Sequence, residues 1–374
     1  MRPALIPLAA ALLAASFAGA APLGKLNRFA ALPAQQAAED GARTQFELHT
    51  EGRGRLRISL LRADTLRIQA SGTGALQPPG NGQAPIVLPQ ERAEVKHRIE
   101  EDAQQIWVHT ERLSLRIQRQ PLRLALYRAG EAEPLWQELQ SLDLGKDLSV
   151  QTLSSRRDEQ FFGGGQQNGR FAFKGRQLDI SYSGGWEDGD RPSPAPWLLS
   201  SRGWGMLRHT WAPGSYDLRA DERISLQHQE GRFDAYFFVG PDFRAALDAY
   251  TDLSGRAPMP PRWAFEYGDA DCYNDGDNAK KPGTVPKGWS DGPTGTTPDV
   301  VDSVARPYRE HDMPGGWILP NDGYGCGYKA LPETVKRLGE LGFRTGLWTE
   351  DGVDKIAWEV GQAGSRAQKL DVAW

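Results

Sequence analysis

Residues Trp317–Asp351 read WILPNDGYGCGYKALPETVKRLGELGFRTGLWTED. Two short apolar runs, Trp317–Leu319 and Arg344–Trp348, flank an amphipathic stretch, Leu331–Leu341, with Pro332 early in it, where a first helical turn accepts proline. The pattern predicts strand, helix, strand. It continues outward in both directions. Upstream, Trp263–Tyr267 reads as a strand and Asp299–Glu310 as a helix. Downstream, Val353–Val360 reads as a helix and Ala367–Val372 as a fourth strand. Strand–helix alternation predicts an α/β unit with a parallel sheet, or a (β/α)8 TIM barrel. Gly276–Pro298 interrupts it as a long exposed loop. The 117 residues from Pro258 onward fall short of the roughly 250 that a whole barrel takes. The expectation is therefore a barrel truncated after its fourth strand.

Before Pro258 the period is two. Leu56–Leu60, Thr65–Ile68, Gln105–Val108, Leu113–Ile117 and Phe233–Val239 read as strands, separated by Gly/Pro clusters such as Gln77–Gly82. A β-sandwich fits. Asp242–Leu253 reads as a helix with Phe243, Ala246, Leu247 and Tyr250 on one face. The expected domains are a sandwich over residues 21–256 and the barrel half over 257–374. Phe162-Gly163-Gly164-Gly165-Gln166 lacks the Lys-Ser/Thr of a phosphate cradle, so a sharp backbone turn is expected there.

The chain has 374 residues and a net charge of −4. That balance argues against a nucleic-acid partner. Met1–Ala20 combines Arg2, an apolar stretch and Ala18-Gly19-Ala20, the pattern of a secretory signal peptide. A periplasmic or secreted protein with no membrane span is expected. Cys272 and Cys326 are too few for a disulfide scaffold, and both pairing and free thiols fit. His49, His97, His109 and His228 read as exposed strand residues, and no histidine shows metal spacing.

Chemistry concentrates after the strands. Asp269 and Asp271 follow the first, Asn321 and Asp322 the second, Glu350 and Asp351 the third, and Asp371 ends the fourth. In a (β/α) barrel these positions converge on the face where active sites form. Trp317, Trp348 and Trp374 lie on or beside the same strands. Carboxylates with indole faces suit a neutral polyhydroxylated ligand, because carboxylates bond hydroxyls and can stabilise an oxocarbenium-like centre. The ordinary alternative for any one such acid is a helix cap or a solvated loop charge. Asp269, Asp271, Asp275 and Asp277 lie close in sequence, but no metal-ligand motif is present, so neither a metal nor another cofactor is expected.

Phe161–Gln166 through Phe173, Pro194–Trp197, Leu198–Gly205, Tyr250–Gly255, Pro260–Phe265 and Leu341–Trp348 together resemble glycoside hydrolase family 31, from about residue 45 to the end. The resemblance implies a galactose-mutarotase-like β-sandwich followed by a barrel, and a retaining α-glycosidase acting on a carbohydrate. It implies that Asp371, in Lys369-Leu370-Asp371-Val372-Ala373-Trp374, is the nucleophile that forms a glycosyl-enzyme intermediate. It implies a substrate contact from Asp269 or Asp271 and matches Arg344–Asp351 to the third strand and its end, while the strand-end reading makes Asn321, Asp322, Trp348, Glu350, Asp351 and Trp374 substrate-binding candidates. The family's general acid/base follows the sixth strand, beyond residue 374. Members acting on α-glucosides carry Asp-Ile-Asp-Tyr where this chain has Asn321-Asp322-Gly323-Tyr324. They carry Gly-Glu or Met-Asn-Glu where it has Val372-Ala373-Trp374. These departures fit a branch acting on α-galactosides or α-N-acetylgalactosaminides. The other reading is a carbohydrate-binding protein or truncated pseudoenzyme without turnover.

Overall fold

Strand Arg232–Val239 reads RFDAYFFV and is buried at every position after the first. A strand this apolar has both faces covered. On one face, Phe233, Phe237 and Val239 join a core with Phe46, Ile58 and Ile68 from neighbouring strands. On the other, Tyr236 and Phe238 pack with Ala246, Ala249 and Leu253 of a helix.

The computed structural model describes residues 21–77, 86–185, 187–270, 300–320, 330–349 and 356–370. The chain divides into two compact units, Met1–Arg256 and Ala257–Trp374. The leader segment, both cysteines and the loop Gly276–Pro298 lie outside the described residues. Among the described residues no helix is long and apolar enough to cross a membrane.

The first unit is built of antiparallel sheets. The largest has eight strands, in the order Phe161–Gln166, Ser193–Ser200, Trp204–Arg208, Arg232–Val239, Thr65–Ser71, Arg55–Arg62, Thr44–Thr50 and Leu26–Ala31. A six-stranded sheet (containing Ser149–Ser154 and Arg223–His228) and a five-stranded sheet (containing Gln105–His109, Leu113–Arg119 and Leu122–Arg128) complete it. Leu153 and Leu226 from the six-stranded sheet, and Ile106, Leu115 and Leu126 from the five-stranded one, share the core of the eight-stranded sheet. This shared core makes the unit a β-sandwich. Alternation inside each strand supplies its apolar face.

Three expectations for this unit change. Helix Phe243–Ser254, capped by Asp242 Oδ1 accepting from Ala245 N at 2.9 Å, buries Ala246, Ala249 and Leu253. Phe243 and Leu247 stay 39% and 47% exposed. The buried stripe is rotated because small alanines let the helix approach the sheet, while Phe243 packs sideways on Phe162. The glycine run is a bulged strand rather than a turn: Gly163, Gly164 and Gly165 have φ of 110°, 76° and 75°, and the register shifts between Gly163 and Gly165. A Cβ on Gly165 would lie 2.2 Å from the Ser193 carbonyl, so only glycine fits. His228 is fully buried, because it continues the inward alternation of Ile224 and Leu226. Its Nδ1 is 2.9 Å from the Ala212 carbonyl and its Nε2 is 3.0 Å from Tyr216 Oη. Burial, aided by Arg208, lowers its pKa to about 3 and keeps the ring neutral.

The second unit carries a parallel sheet in chain order, Gly268–Ala270, Trp317–Leu319, Arg344–Thr349 and Ala367–Leu370. Val301–Ala305 winds as a π-helical stretch into helix Arg306–Glu310, and Leu331–Glu340 forms the next helix. Ile356–Trp358 and the π-helical Glu359–Ala363 precede the fourth strand. Trp263–Tyr267, expected as a strand, is instead a 3-10 turn at Arg262–Phe265 with Phe265 and Tyr267 exposed. Pro260 and Pro261 fix the backbone ahead of it. The strand starts at Gly268, where a Cβ would fall about 2 Å from the Trp317 indole.

Glu138 links two sheets of the sandwich. Its side chain accepts from Leu124 N at 2.8 Å and from Gln151 Nε2 at 2.9 Å. Burial raises its pKa from 4.5 to about 7 against those bonds. The protonated acid is thus favoured in the fold. The stability this contributes is complete below about pH 4.5 and is lost as pH rises toward 7. The loss is of the order of 3 kcal/mol. Glu138→Gln should flatten the pH dependence of the urea midpoint across that window. Identical slopes in the two proteins would exclude this role.

Candidate functional site

The four parallel strands end at Ala270, Leu319, Thr349 and Leu370, on one edge of the sheet. The register decides which side chains share a face. Asp269 pairs with Ile318 and Ile318 with Thr345, while Trp348 pairs with Lys369 and Thr349 with Leu370. Ile318 packs against Val301, Val304, Leu338 and Phe343, and Leu347 against Leu331 and Ala363. Ile318 and Leu347 therefore mark the face toward the helices. Gly268, Trp317, Gly346, Trp348, Ala367 and Lys369 alternate onto the opposite face, away from the described helices.

Asp269, expected among the substrate-binding groups, lies on the helix face. Its Oδ2 accepts from Tyr308 Oη of helix Arg306–Glu310 at 2.5 Å. Burial and the neighbouring Asp269 carboxylate push the Tyr308 phenol far above its ordinary range, so it stays a donor. Tyr308 also meets Phe343 edge to face at 5.9 Å. The cause is the close fit of Gly268 to Trp317 on the other face, which turns the next side chain toward the helices. Trp348 is 4% exposed and lies on the face away from the described helices. Asp271, Asn321, Asp322, Glu350, Asp351, Asp371 and Trp374 lie outside the described residues. Asp269→Asn and Tyr308→Phe should each lower stability by about 1 kcal/mol, read by urea unfolding, and leave sugar affinity unchanged. A large loss of sugar binding in Asp269→Asn, with the fold intact, would return this residue to the site.

A second polar cluster escaped the sequence reading. Glu39, His209 and Asp234 present ligand atoms within 4.8 Å of one another, the arrangement of a metal site. A guanidinium already fills it. Arg67 Nε and Nη2 donate to the two oxygens of Asp234 at 2.8 and 2.6 Å, Nη1 donates to Asp40 at 3.0 Å, and Nη2 also meets Glu39 at 2.6 Å and His209 Nδ1 at 3.3 Å. Burial alone would raise the Asp234 pKa, but the charge and hydrogen bonds of Arg67, with His209, hold it well below the usual carboxylate range. The partners lie 27 to 167 positions apart, so no spacing motif could reveal them. The signal was an aspartate inside Phe233-Asp234-Ala235-Tyr236-Phe237. Asp234→Ala should cost about 3–5 kcal/mol by stranding a buried cation, while EDTA should leave the melting temperature unchanged. A drop in Tm with EDTA that zinc or calcium restores would show a metal instead.

Comparison with known proteins places these features. Residues 55–217 match the Glycosyl hydrolase 31 N-terminal galactose mutarotase-like domain. The isomaltosyltransferase of Sporosarcina globispora is 23% identical over 233 residues, covering 56% of this chain and 20% of that protein. The alpha-xylosidase of Saccharolobus solfataricus is 25% identical over 120 residues, covering 32% of this chain and 13% of that protein. Among solved structures, the GH31 dextranase of Flavobacterium johnsoniae complexed with glucose superposes with a TM-score of 0.70 at 17% identity, over 92% of this chain and 41% of that one. The chain thus spans a fifth or less of these curated relatives and about two fifths of the dextranase. Residues 55–217 of the first unit thus match the N-terminal galactose mutarotase-like domain of glycosyl hydrolase family 31, and the relatives and the shared fold agree with that match.

Proposed function

We propose that this protein is a retaining glycoside hydrolase of terminal α-linked sugars, exported through the Met1–Ala20 leader to the periplasm or medium. Asp371 is its nucleophile, and the parallel sheet is the first half of a (β/α)8 barrel. The observation that carries the reading is the fourth strand. Ala367 and Lys369 take the side of the sheet away from the described helices, in a sheet whose strands run in chain order, and Asp371 follows Lys369 by two residues in the sequence.

In this reading Asp371 attacks the anomeric carbon as the glycosidic bond breaks, giving a covalent glycosyl ester. A second carboxyl group protonates the leaving oxygen and then takes a proton from the attacking water. The reading places that second group past the fourth strand, in the part of the relatives that this chain does not span. No soluble cofactor is required, because two carboxyl groups complete the cycle. Names among the relatives and neighbours include isomaltosyltransferase, alpha-xylosidase and dextranase. One covalent intermediate accounts for hydrolysis and transfer alike, since water or a sugar hydroxyl can release the ester. The segment Asn321-Asp322-Gly323-Tyr324 sets the preference among α-glucoside, α-galactoside and α-N-acetylgalactosaminide.

The test uses the protein as its cell produces it, with aryl α-glucoside, α-galactoside, α-N-acetylgalactosaminide and α-xyloside. Release from one of them should fall by at least about 10³-fold in Asp371→Asn, as expected when a nucleophile is lost. Activity that survives the substitution would reject Asp371. Sugar binding with no release from any substrate would favour a non-catalytic carbohydrate-binding protein.

A further inference from the structure

Four turns meet at one end of the sandwich. They follow strands Thr44–Thr50, Thr65–Ser71, Asp143–Leu144 and Arg223–His228, and they enclose a cleft of about 800 Å3. The turns are held by close backbone packing. A Cβ on Gly231 would lie 2.3 Å from the Lys146 carbonyl and 2.5 Å from that of Gly145, and one on Gly54 would lie 2.3 Å from Thr50 Oγ1. Loops fixed this tightly on a sheet scaffold make a preformed site.

The lining is hydroxyl-rich and cationic. Thr50, Ser71, Thr73 and Gln77 supply hydroxyl and amide groups, and Arg53 and Lys146 supply positive charge. The acids on the same wall are already engaged: Glu51 pairs with Lys25 at 3.3 Å, and Glu230 pairs with Arg232 at 2.9 Å and with Arg208 at 3.5 Å. Among the described residues Arg53 and Lys146 form no ion pair or side-chain hydrogen bond. The volume is in the range of small-ligand sites, which run about 300–1,000 Å³. Hydroxyl and amide groups match sugar hydroxyls, and a guanidinium fork matches a carboxylate or sulfate.

We propose that this cleft is a second saccharide site, separate from the strand-end carboxylates, that takes an oligosaccharide bearing a carboxylate or sulfate group. Arg53 and Lys146 hold the anion, while Thr73 and Gln77, both exposed, hold neighbouring hydroxyls. The site does not depend on the protein being a hydrolase.

Isothermal titration of the 374-residue chain with a galacturonate trisaccharide, a sulfated trisaccharide and a neutral glucose trisaccharide tests this. Both acidic ligands, or one of them, should bind in preference to the neutral one, and the stronger identifies the anion. Binding should weaken with added salt. Arg53→Gln and Lys146→Gln should each reduce affinity about fivefold, and the double variant about 25-fold if the effects add, with the melting temperature unchanged because both side chains are exposed. The proposal fails if no acidic ligand binds, if the neutral trisaccharide binds as well as the acidic ones, or if the double variant binds like the parent.

Discussion

The first unit depends on one buried cation. Arg67 is 1% exposed, in an interior where an unpaired charge would cost several kcal/mol. It is tolerated because its donors meet the carboxylates of Asp234, Asp40 and Glu39, and because its guanidinium also lies 5.0 Å from the centre of the Tyr236 ring. The network reaches beyond one pair. Asp40 accepts from Tyr236 Oη at 2.9 Å and from Ala42 N at 3.1 Å, so the segment before strand Thr44–Thr50 is tied to the eight-stranded sheet. Replacing such a network by apolar groups could cost little energy. What it supplies is register. Arg67 and Tyr236 are direct cross-strand partners, and a slip of one residue would put Arg67 and Asp234 into the apolar core on the other face.

Register also organises the second unit. A parallel sheet brings all strand ends to one edge, and its alternation sorts every side chain toward or away from the helices. Gly268 is the point where that sorting is set, because the Trp317 indole occupies the space of its Cβ. Asp269 then has to face Tyr308, and it acts as an acceptor that joins strand to helix. An acid beside a strand end is therefore not automatically an acid in a site. Its position on the two-residue period is the deciding quantity.

This explains what was legible in the sequence. Strands such as Arg55–Arg62, Gln105–His109 and Leu113–Arg119 were read correctly to within about two residues because burial on one face writes a period of two. The strand–helix alternation of the second unit was equally plain. Trp263–Tyr267 misled because apolar side chains do not imply burial: Phe265 and Tyr267 are 68% and 63% exposed. His228 misled in the opposite sense, since a polar residue on the inward period is buried when Tyr216 and a backbone carbonyl satisfy it. The glycine run was read as a turn because it is Gly-rich and lacks the Lys-Ser/Thr of a phosphate cradle. In the fold its glycines accommodate a bulge against strand Ser193–Ser200.

The carboxylates after the strands and the Arg67 cluster show the limits from two sides. The strand-end acids were conspicuous because short strands repeat at regular intervals and each is followed by acid. That regularity states where the chain presents charge, without stating which face it takes. The Arg67 cluster had no local regularity, yet its ionisations are clearly perturbed, with Asp234 held below and Arg67 above the ordinary range. Perturbed ionisation is often taken as a mark of function. Here the carboxylate is shifted by a cation that occupies the position a metal or substrate would need. The shift therefore reports structural commitment. An acid that does chemistry at a strand end requires the opposite: an open side, and a partner that arrives with the substrate.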